Sequence, residues 1–285
     1  MQNRFCGVAL LLLALVFTSS ASGNHMHPVV NGKDQLVLGV LPIVSPTRLE
    51  VRFAPLVRHL SSELDFEITL ETAPNFKEFA RRSVEEQRYD FLFTAPHFYY
   101  LAQRNSGYRV VVRVDGLPLD AVIVTRRDSA IAKLDDLRGR TLATPDSLSL
   151  ATLLTRELLA HSGEYLEAAV TLVETPTHNA SLQSAINGWT DAASVINPVF
   201  RRMAPDVRAQ LRVLATTGNT PHMPFSAAPW VAKERAQAFA DAMLAIENTE
   251  SGRALLAHLG WPGFAAAQPK DYDEFHGFVA AIGGR

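Results

Sequence analysis

An α/β fold is predicted for this chain, and three observations predict it. Short apolar runs of strand length alternate with helical periodicity through most of the sequence. Three of those runs end in turns that pass at once into a helix: after Phe93, after Ala143 and after Glu174. The 285 residues contain a single cysteine, so a packed core rather than a disulfide framework must hold the fold. Alternating elements of this kind argue mostly parallel sheets flanked by helices, with ligands at the carboxyl ends of the strands.

The chain opens with Arg4, an apolar run from Phe5 to Phe17 and then small residues. That pattern predicts a secretory signal peptide over residues 1–23, cleaved after Ala21 or Gly23, and a periplasmic location for the mature protein. The apolar run is too short for a stable membrane anchor. Cys6 precedes it, so the mature chain has no cysteine, which excludes thiol catalysis and cysteine metal sites. About 260 residues remain, enough for one large domain or two lobes. Acidic residues slightly outnumber basic ones and the signs are interspersed, so nothing points to a nucleic-acid partner.

Leu36 to Ile43 reads as a buried strand, and Thr47 to Leu64 as an amphipathic helix carrying Leu49, Phe53, Leu56 and Leu60 on one face. Phe66 to Thr72 is a strand and Phe76 to Gln87 a helix. Tyr89 to Phe93 is a strand ending at Thr94-Ala95-Pro96, where Thr94 is expected to cap the next helix and proline to sit in its first turn. Val110 to Val114 and Ala121 to Thr125 are strands around Asp115-Gly116. A turn at Leu134 to Leu137, a strand from Arg140 to Ala143, a helix from Ser149 and a strand from Val170 to Glu174 follow. His178 to Ile186 is helical and stops at Asn187-Gly188, before the apolar run Ala192 to Ile196. The remainder is mainly helical, with Ala236 to Ile246 and Gly252 to Leu259 ended by Gly260.

The turn TPDSLSLATLL, Thr144 to Leu154, carries the clearest chemistry. A strand that turns directly into a helix leaves N–H groups unpaired, and the helix dipole adds partial positive charge there. Ser147 and Ser149 stand beside those donors, which makes an anion pocket without a formal cation. The plainer alternative is that one serine simply caps the helix.

Six segments, in order, resemble the periplasmic substrate-binding proteins of phosphonate, phosphite and phosphate ABC importers. They are LGVLPIVSPTRLEVRFAPLVRHLSSEL, YDFLFTAPHFYYLAQ, GYRVVVRVDG, KLDDLRGRTLATPDSLSLATLL, THNASLQSAINGWTDAASV and ENTESGRALLAHLGWPGF. The resemblance implies a two-lobed, hinged periplasmic-binding-protein fold of type 2, each lobe a mostly parallel sheet flanked by helices. Residues 34–120 and 223–285 would form one lobe and residues 121–222 the other, with crossover strands near Ala121 to Thr125 and Leu211 to Pro224. It also implies a monomer that captures a small oxyanion and hands it to an ABC transporter permease, with no cofactor, no metal and no catalytic residues.

Matched to that family's motifs, Tyr99 would reach the ligand, or else pack its helix on the sheet, with one of Tyr99 and Tyr100 in the core. Ser147 and Ser149 match the outer positions of its S-T-S turn. His178 either donates to the anion or caps its own helix. Asp191 matches a position whose role is partly structural, because an acid facing an oxyanion needs a protonated oxygen or an amine. Leu148 and Leu150 replace small or polar residues and suggest an apolar wall, hence a substituted oxyanion such as an organic phosphonate. No Lys or Arg matches the ligand motifs, so the pocket is expected to work with neutral donors. His25 and His27 read as a flexible end rather than a metal site. Two other functions share the residues: a sensory subunit that docks on the periplasmic domain of a membrane histidine kinase, and a phosphoesterase. The second is disfavoured, since G-x-S-x-G, phosphate-loop and H-E-x-x-H patterns are all missing.

Overall fold

Phe91, Leu92 and Phe93 are all fully buried, as are alternate residues Leu38 and Val40, which requires strands covered on both faces. The structure is a computed structural model that describes residues 28–278 apart from Asn31, Leu117 and Glu164; the expected leader lies outside the described residues.

The chain begins with β1 (Val29–Val30) and β2 (Lys33–Val40), α1 (Pro46–Glu63), β3 (Glu67–Glu71), α2 (Phe76–Val84), β4 (Phe91–Phe93), α3 (Pro96–Ser106) and β5 (Arg109–Val114). It then crosses to β6 (Ala121–Arg126), β7 (Thr141–Thr144), α4 (Leu150–His161), α5 (Leu166–Ala169), β8 (Thr171–Glu174) and α6 (His178–Ile186). β9 (Ala192–Ile196), α7 (Asn197–Arg201), α8 (Pro205–Arg208) and β10 (Leu211–Thr216) follow, before the return to β11 (Pro224–Ala227), α9 (Lys233–Ala245), α10 (Glu250–Leu259) and β12 (Phe264–Ala266). A 3₁₀ segment, Pro269–Phe275, closes the described chain.

Among the described residues these strands form two sheets. The first has the order β1-β2-β4-β11-β5-β12 with β3 on β2, and the second the order β10-β6-β9-β7-β8. Both are mixed. β2, β3 and β4 run parallel, as do β7, β8 and β9, but β11 lies antiparallel between β4 and β5, and β6 lies antiparallel between β10 and β9. The physical reason is the double crossing. A strand entering a sheet from the other sheet has no helix to carry it back along the face, so it pairs against its neighbours' direction.

Aromatic rings fill the first sheet's core: Phe91 stacks on Phe239 with centroids 4.3 Å apart, and Phe93 lies 4.5 Å from Phe225. Each fully buried ring of this kind contributes about 1.5–3 kcal/mol relative to exposure. In the second sheet alternate residues split between faces, with Val122, Val124, Ala193 and Val195 packing in one cluster and Ile123, Leu142 and Ala192 in the other. A separate cluster lies between the sheets. There Tyr99 and Tyr100 of α3 and Tyr272 and Phe275 of the 3₁₀ segment meet Leu150, Ala151 and Leu154 of α4.

The two crossing segments are tied to each other. Leu119 and Thr220 exchange backbone hydrogen bonds, and the Ala121 N–H donates to Thr217 Oγ1 at 2.8 Å.

Gly39 marks the tightest approach in the first sheet: a Cβ there would stand 2.5 Å from Cγ of the buried Tyr89 ring, which itself stacks on Phe79. Gly39→Ala should therefore destabilise the protein by about 1–3 kcal/mol through overpacking. Urea titration followed by far-UV circular dichroism measures this, and an unchanged midpoint would show that the ring moves aside freely.

Candidate functional site

The strands' carboxyl ends converge on a cavity of about 340 Å³ between the two sheets. Leu41, Ile43 and Val44 after β2, and Ala95 and His97 at the start of α3, line it from the first sheet. Ser149, Leu150 and Ala151 at the start of α4, His178 at the start of α6, and Ile196 to Val199 after β9 line it from the second, apart from Asn197. The crossing segments add Asp115, Leu119, His222 and Met223. A hollow of about 530 Å³ beside Arg126, Arg127 and Gln210 lies at the far ends of β6 and β10, away from the crossings, and gathers no strand-to-helix turn.

The α4 turn is built by its own side chains. Asp146 Oδ1 accepts from the Leu148 N–H at 2.8 Å, and the hydroxyl of Thr152 donates to the carbonyls of Pro145 and Asp146. Ser149 is the cap: its Oγ accepts from the Thr152 N–H at 3.2 Å, so this hydroxyl serves the helix. Leu150 and Ala151, whose N–H groups come ahead of the first intrahelical bond, line the cavity. Ser147 is half-buried in the turn and is not among the lining residues. Leu148 packs into the first sheet's core instead of forming a wall of the cavity, while Leu150 does line it.

Three histidines reach the cavity, and the backbone fixes the role of each ring. His178 does not cap α6, because Thr177 does so by accepting from the Ala180 N–H. His178 Nδ1 accepts from the Ile196 N–H at 3.5 Å, which leaves Nε2–H as a donor. His222 Nδ1 likewise accepts from the Met223 N–H at 2.8 Å. His97 Nε2 donates to the Leu148 carbonyl at 2.9 Å, across the gap between the sheets, and its buried Nδ1 has no partner. Burial holds all three rings neutral, lowering each to about 4; for His222 the nearby Arg113 and Arg202 charges add to the effect.

Tyr99 is placed in the cluster between the sheets, edge-on to Tyr272 at 4.8 Å, with its hydroxyl accepting from the Val110 N–H. Burial raises its phenol to about 12. Tyr100 is buried in the same cluster, so both tyrosines are core. Asp191 precedes β9, at the end of the second sheet opposite the cavity. Its carboxylate accepts from the N–H and the hydroxyl of Thr141, at 2.9 and 2.8 Å. Thr94 does not cap α3; Ala95 holds that position, and Thr94 Oγ1 is buried without a partner.

Sequence reasoning missed His97, His222, Arg52 and Arg202. His97 directly follows Thr94-Ala95-Pro96, a turn already marked as a strand-to-helix junction, and Arg52 lies inside a quoted motif, so both carried a signal. The site is not purely neutral, because Arg52 and Arg202 also line the cavity. Among the described residues no group of His, Cys, Asp and Glu could hold a metal ion, and no helix is long and apolar enough to cross a membrane.

The family described as "ABC transporter, phosphonate, periplasmic substrate-binding protein" matches residues 38–272. The chain belongs to that family, a family of substrate-binding transport proteins rather than of enzymes. This assignment gives no support to the sensor-kinase alternative. The fold is similar to that of a binding-protein component of an ABC phosphonate transporter from Pseudomonas aeruginosa, with TM-score 0.74 and 15% identity over 84% of this chain and 83% of that one. It is also similar to PhnD1 from Prochlorococcus marinus in complex with methylphosphonate, with TM-score 0.76 and 15% identity over 88% and 99%. The periplasmic aliphatic sulphonate binding protein SsuA from Escherichia coli follows at TM-score 0.61 and 17% identity over 87% and 91%. No curated protein matches the sequence directly.

Two outcomes follow from this geometry. Asp191→Ala strands the Thr141 N–H and should cost about 1–3 kcal/mol of stability while leaving ligand affinity within about twofold; a large loss of affinity in a stable variant would place Asp191 in the binding machinery. The second concerns pH. His97 is neutral when folded, with its value depressed from 6.5 to about 4, so the unfolded chain binds more protons between those values. Its contribution is complete above about pH 6.5 and lost as pH falls towards 4, the loss reaching about 2 kcal/mol by pH 5. Melting temperature should fall from pH 7 to 5, less steeply in His97→Gln; identical slopes would show that His97 is not held neutral.

Proposed function

We propose that this chain is the exported receptor of an ABC importer and that it captures an organic phosphonate in the cavity between its sheets. The observation that carries this reading is the junction of β7 with α4. Leu150 and Ala151, which carry helix-terminal N–H groups, and His178 on the neighbouring turn, whose Nε2–H is left as a donor, line one cavity. Such donors suit a tetrahedral oxyanion, and the helix dipole supplies the partial positive charge. The rest of the wall near them is apolar, with Ile43, Leu119, Ile196 and Met223, and suits a substituent on that anion. A volume of about 340 Å³ exceeds what a bare tetrahedral anion fills. Two of the structural neighbours support the ligand class, since one is bound to methylphosphonate and the other is an aliphatic sulphonate binding protein.

Residues 34–120 with 223–285 form one lobe in this reading, and residues 121–222 the other. The segments around Leu119 and Thr220 act as the hinge. Residues 1–23 are removed on export, and the mature protein acts as a monomer that presents its closed form to the permease. Ser149 serves by capping the helix whose N–H groups bind, His178 donates directly, and Ser147 borders the turn. Tyr99 and Asp191 hold the frame on which those donors stand.

Calorimetric titration of the mature protein with methyl- and propylphosphonate and with phosphate tests the proposal. Phosphonate binding should be the tighter, and His178→Ala should weaken it by about 1.5–3 kcal/mol, the usual worth of a hydrogen bond to a charged group. Tighter binding of phosphate, or an unaffected His178→Ala variant, would sink it.

A further inference from the structure

A receptor for a single oxyanion at α4 leaves the other end of the cavity unexplained. Arg52, from α1, and Arg202, which follows α7, both line the cavity, one from each side. Two successive carbonyls at the end of α10 draw them together. Arg52 Nη2 donates to Leu259 O and Arg202 Nη2 donates to Gly260 O, each at 2.7 Å. Arg52 also lies over the Trp261 ring, 5.3 Å from its centroid. Neither guanidinium is in an ion pair among the described residues. Burial, and then the charge of Arg202, lower the Arg52 guanidinium. Two like charges drawn to neighbouring carbonyls, with Arg52 partly desolvated, call for an anion between them.

This end is distinct from the phosphonate end. The charge of Arg202 is felt by Arg52 and His222, whereas neither arginine shifts His97 or His178. The wall between the ends is apolar: Ile196, whose N–H bonds His178, is followed by Pro198 and Val199 on the way to Arg202. Six residues at helical rise cover about 9 Å.

We propose that Arg52 and Arg202 jointly hold a second anionic group, so that the ligand is a phosphonate whose apolar chain ends in a carboxylate. The inference rests on the phosphonate reading above. It makes Arg202 a specificity residue that also joins the two sheets when the site is filled, through its bond to Gly260.

Calorimetry with 5-phosphonopentanoate and pentylphosphonate tests it. The carboxylate-bearing compound should bind at least about tenfold tighter at low salt, with the ratio shrinking as salt is raised. Arg202→Gln, at an exposed position, should abolish most of that ratio, with melting temperature as the folding control. Arg52→Gln should act in the same direction. Equal affinity for the two compounds would overturn this inference and leave the phosphonate reading standing. Binding of neither would overturn that reading and this one with it. A ratio that survives both substitutions would remove the arginines from the assignment.

Discussion

The bond from His97 Nε2 to the Leu148 carbonyl is the contact on which the site depends, because it joins the two sheets at the point where their ligand-facing turns meet. It brings the start of α3 and the turn before α4 into one wall, and the cluster of Tyr99, Tyr272, Leu150 and Leu154 backs it. A carbonyl only accepts, so Nε2 must carry the proton, and a neutral ring then leaves Nδ1 as a bare acceptor. A charged ring in the same place would be a buried cation with no carboxylate beside it. The joined turns and the neutral imidazole are therefore one condition, not two.

That condition shapes how the cavity handles charge. At the α4 end the donors of the proposed site are backbone N–H groups and the imidazole N–H of His178, which suit an oxyanion without a fixed cation that water or a stray anion would compensate. The formal charges are kept at the other end, steered there by the carbonyl end of α10. A ligand stabilises the closed form only by what it gains there and not in an open one. In the hinged receptor proposed above, contacts from Leu150 and Ala151 on one side and from Arg52 on the other would be of that kind, since they come from different sheets.

How much of this was legible in the sequence follows from what periodicity reports. Apolar spacing says which face of an element is buried, and it located the strands and the three turns that meet at the cavity. It does not say what lies across the gap. Tyr99 shows this: a phenol at the start of a helix reads equally as donor or core, and only the arrival of Tyr272 from the far end of the chain makes it core. Asp191 was placed by a motif, yet it stands before β9 rather than after it, and position along a strand decides which end of the sheet a residue serves. Leu148 suggests a cavity wall because it replaces a small or polar residue of the family motif, but its side chain is taken up by the opposite core. Arg202 had no local signal at all, since its partner carbonyl is 58 residues away.

For the phosphonate receptor proposed above, the apolar middle of the cavity also decides what is refused. Free phosphate carries oxygen on every side, and each oxygen taken out of water without a donor is penalised by about 1–3 kcal/mol or more. The α4 turn and His178 approach an anion from one side, so an oxygen turned towards Ile43, Leu119 or Met223 meets only carbon. Replacing that oxygen with a carbon substituent removes the penalty and adds buried apolar area, about 0.8 kcal/mol for each methylene. The same wall thus repels one tetrahedral anion and favours its alkylated relative. Discrimination of this kind needs no contact that recognises phosphorus, only donors on one side and a place for carbon on the other.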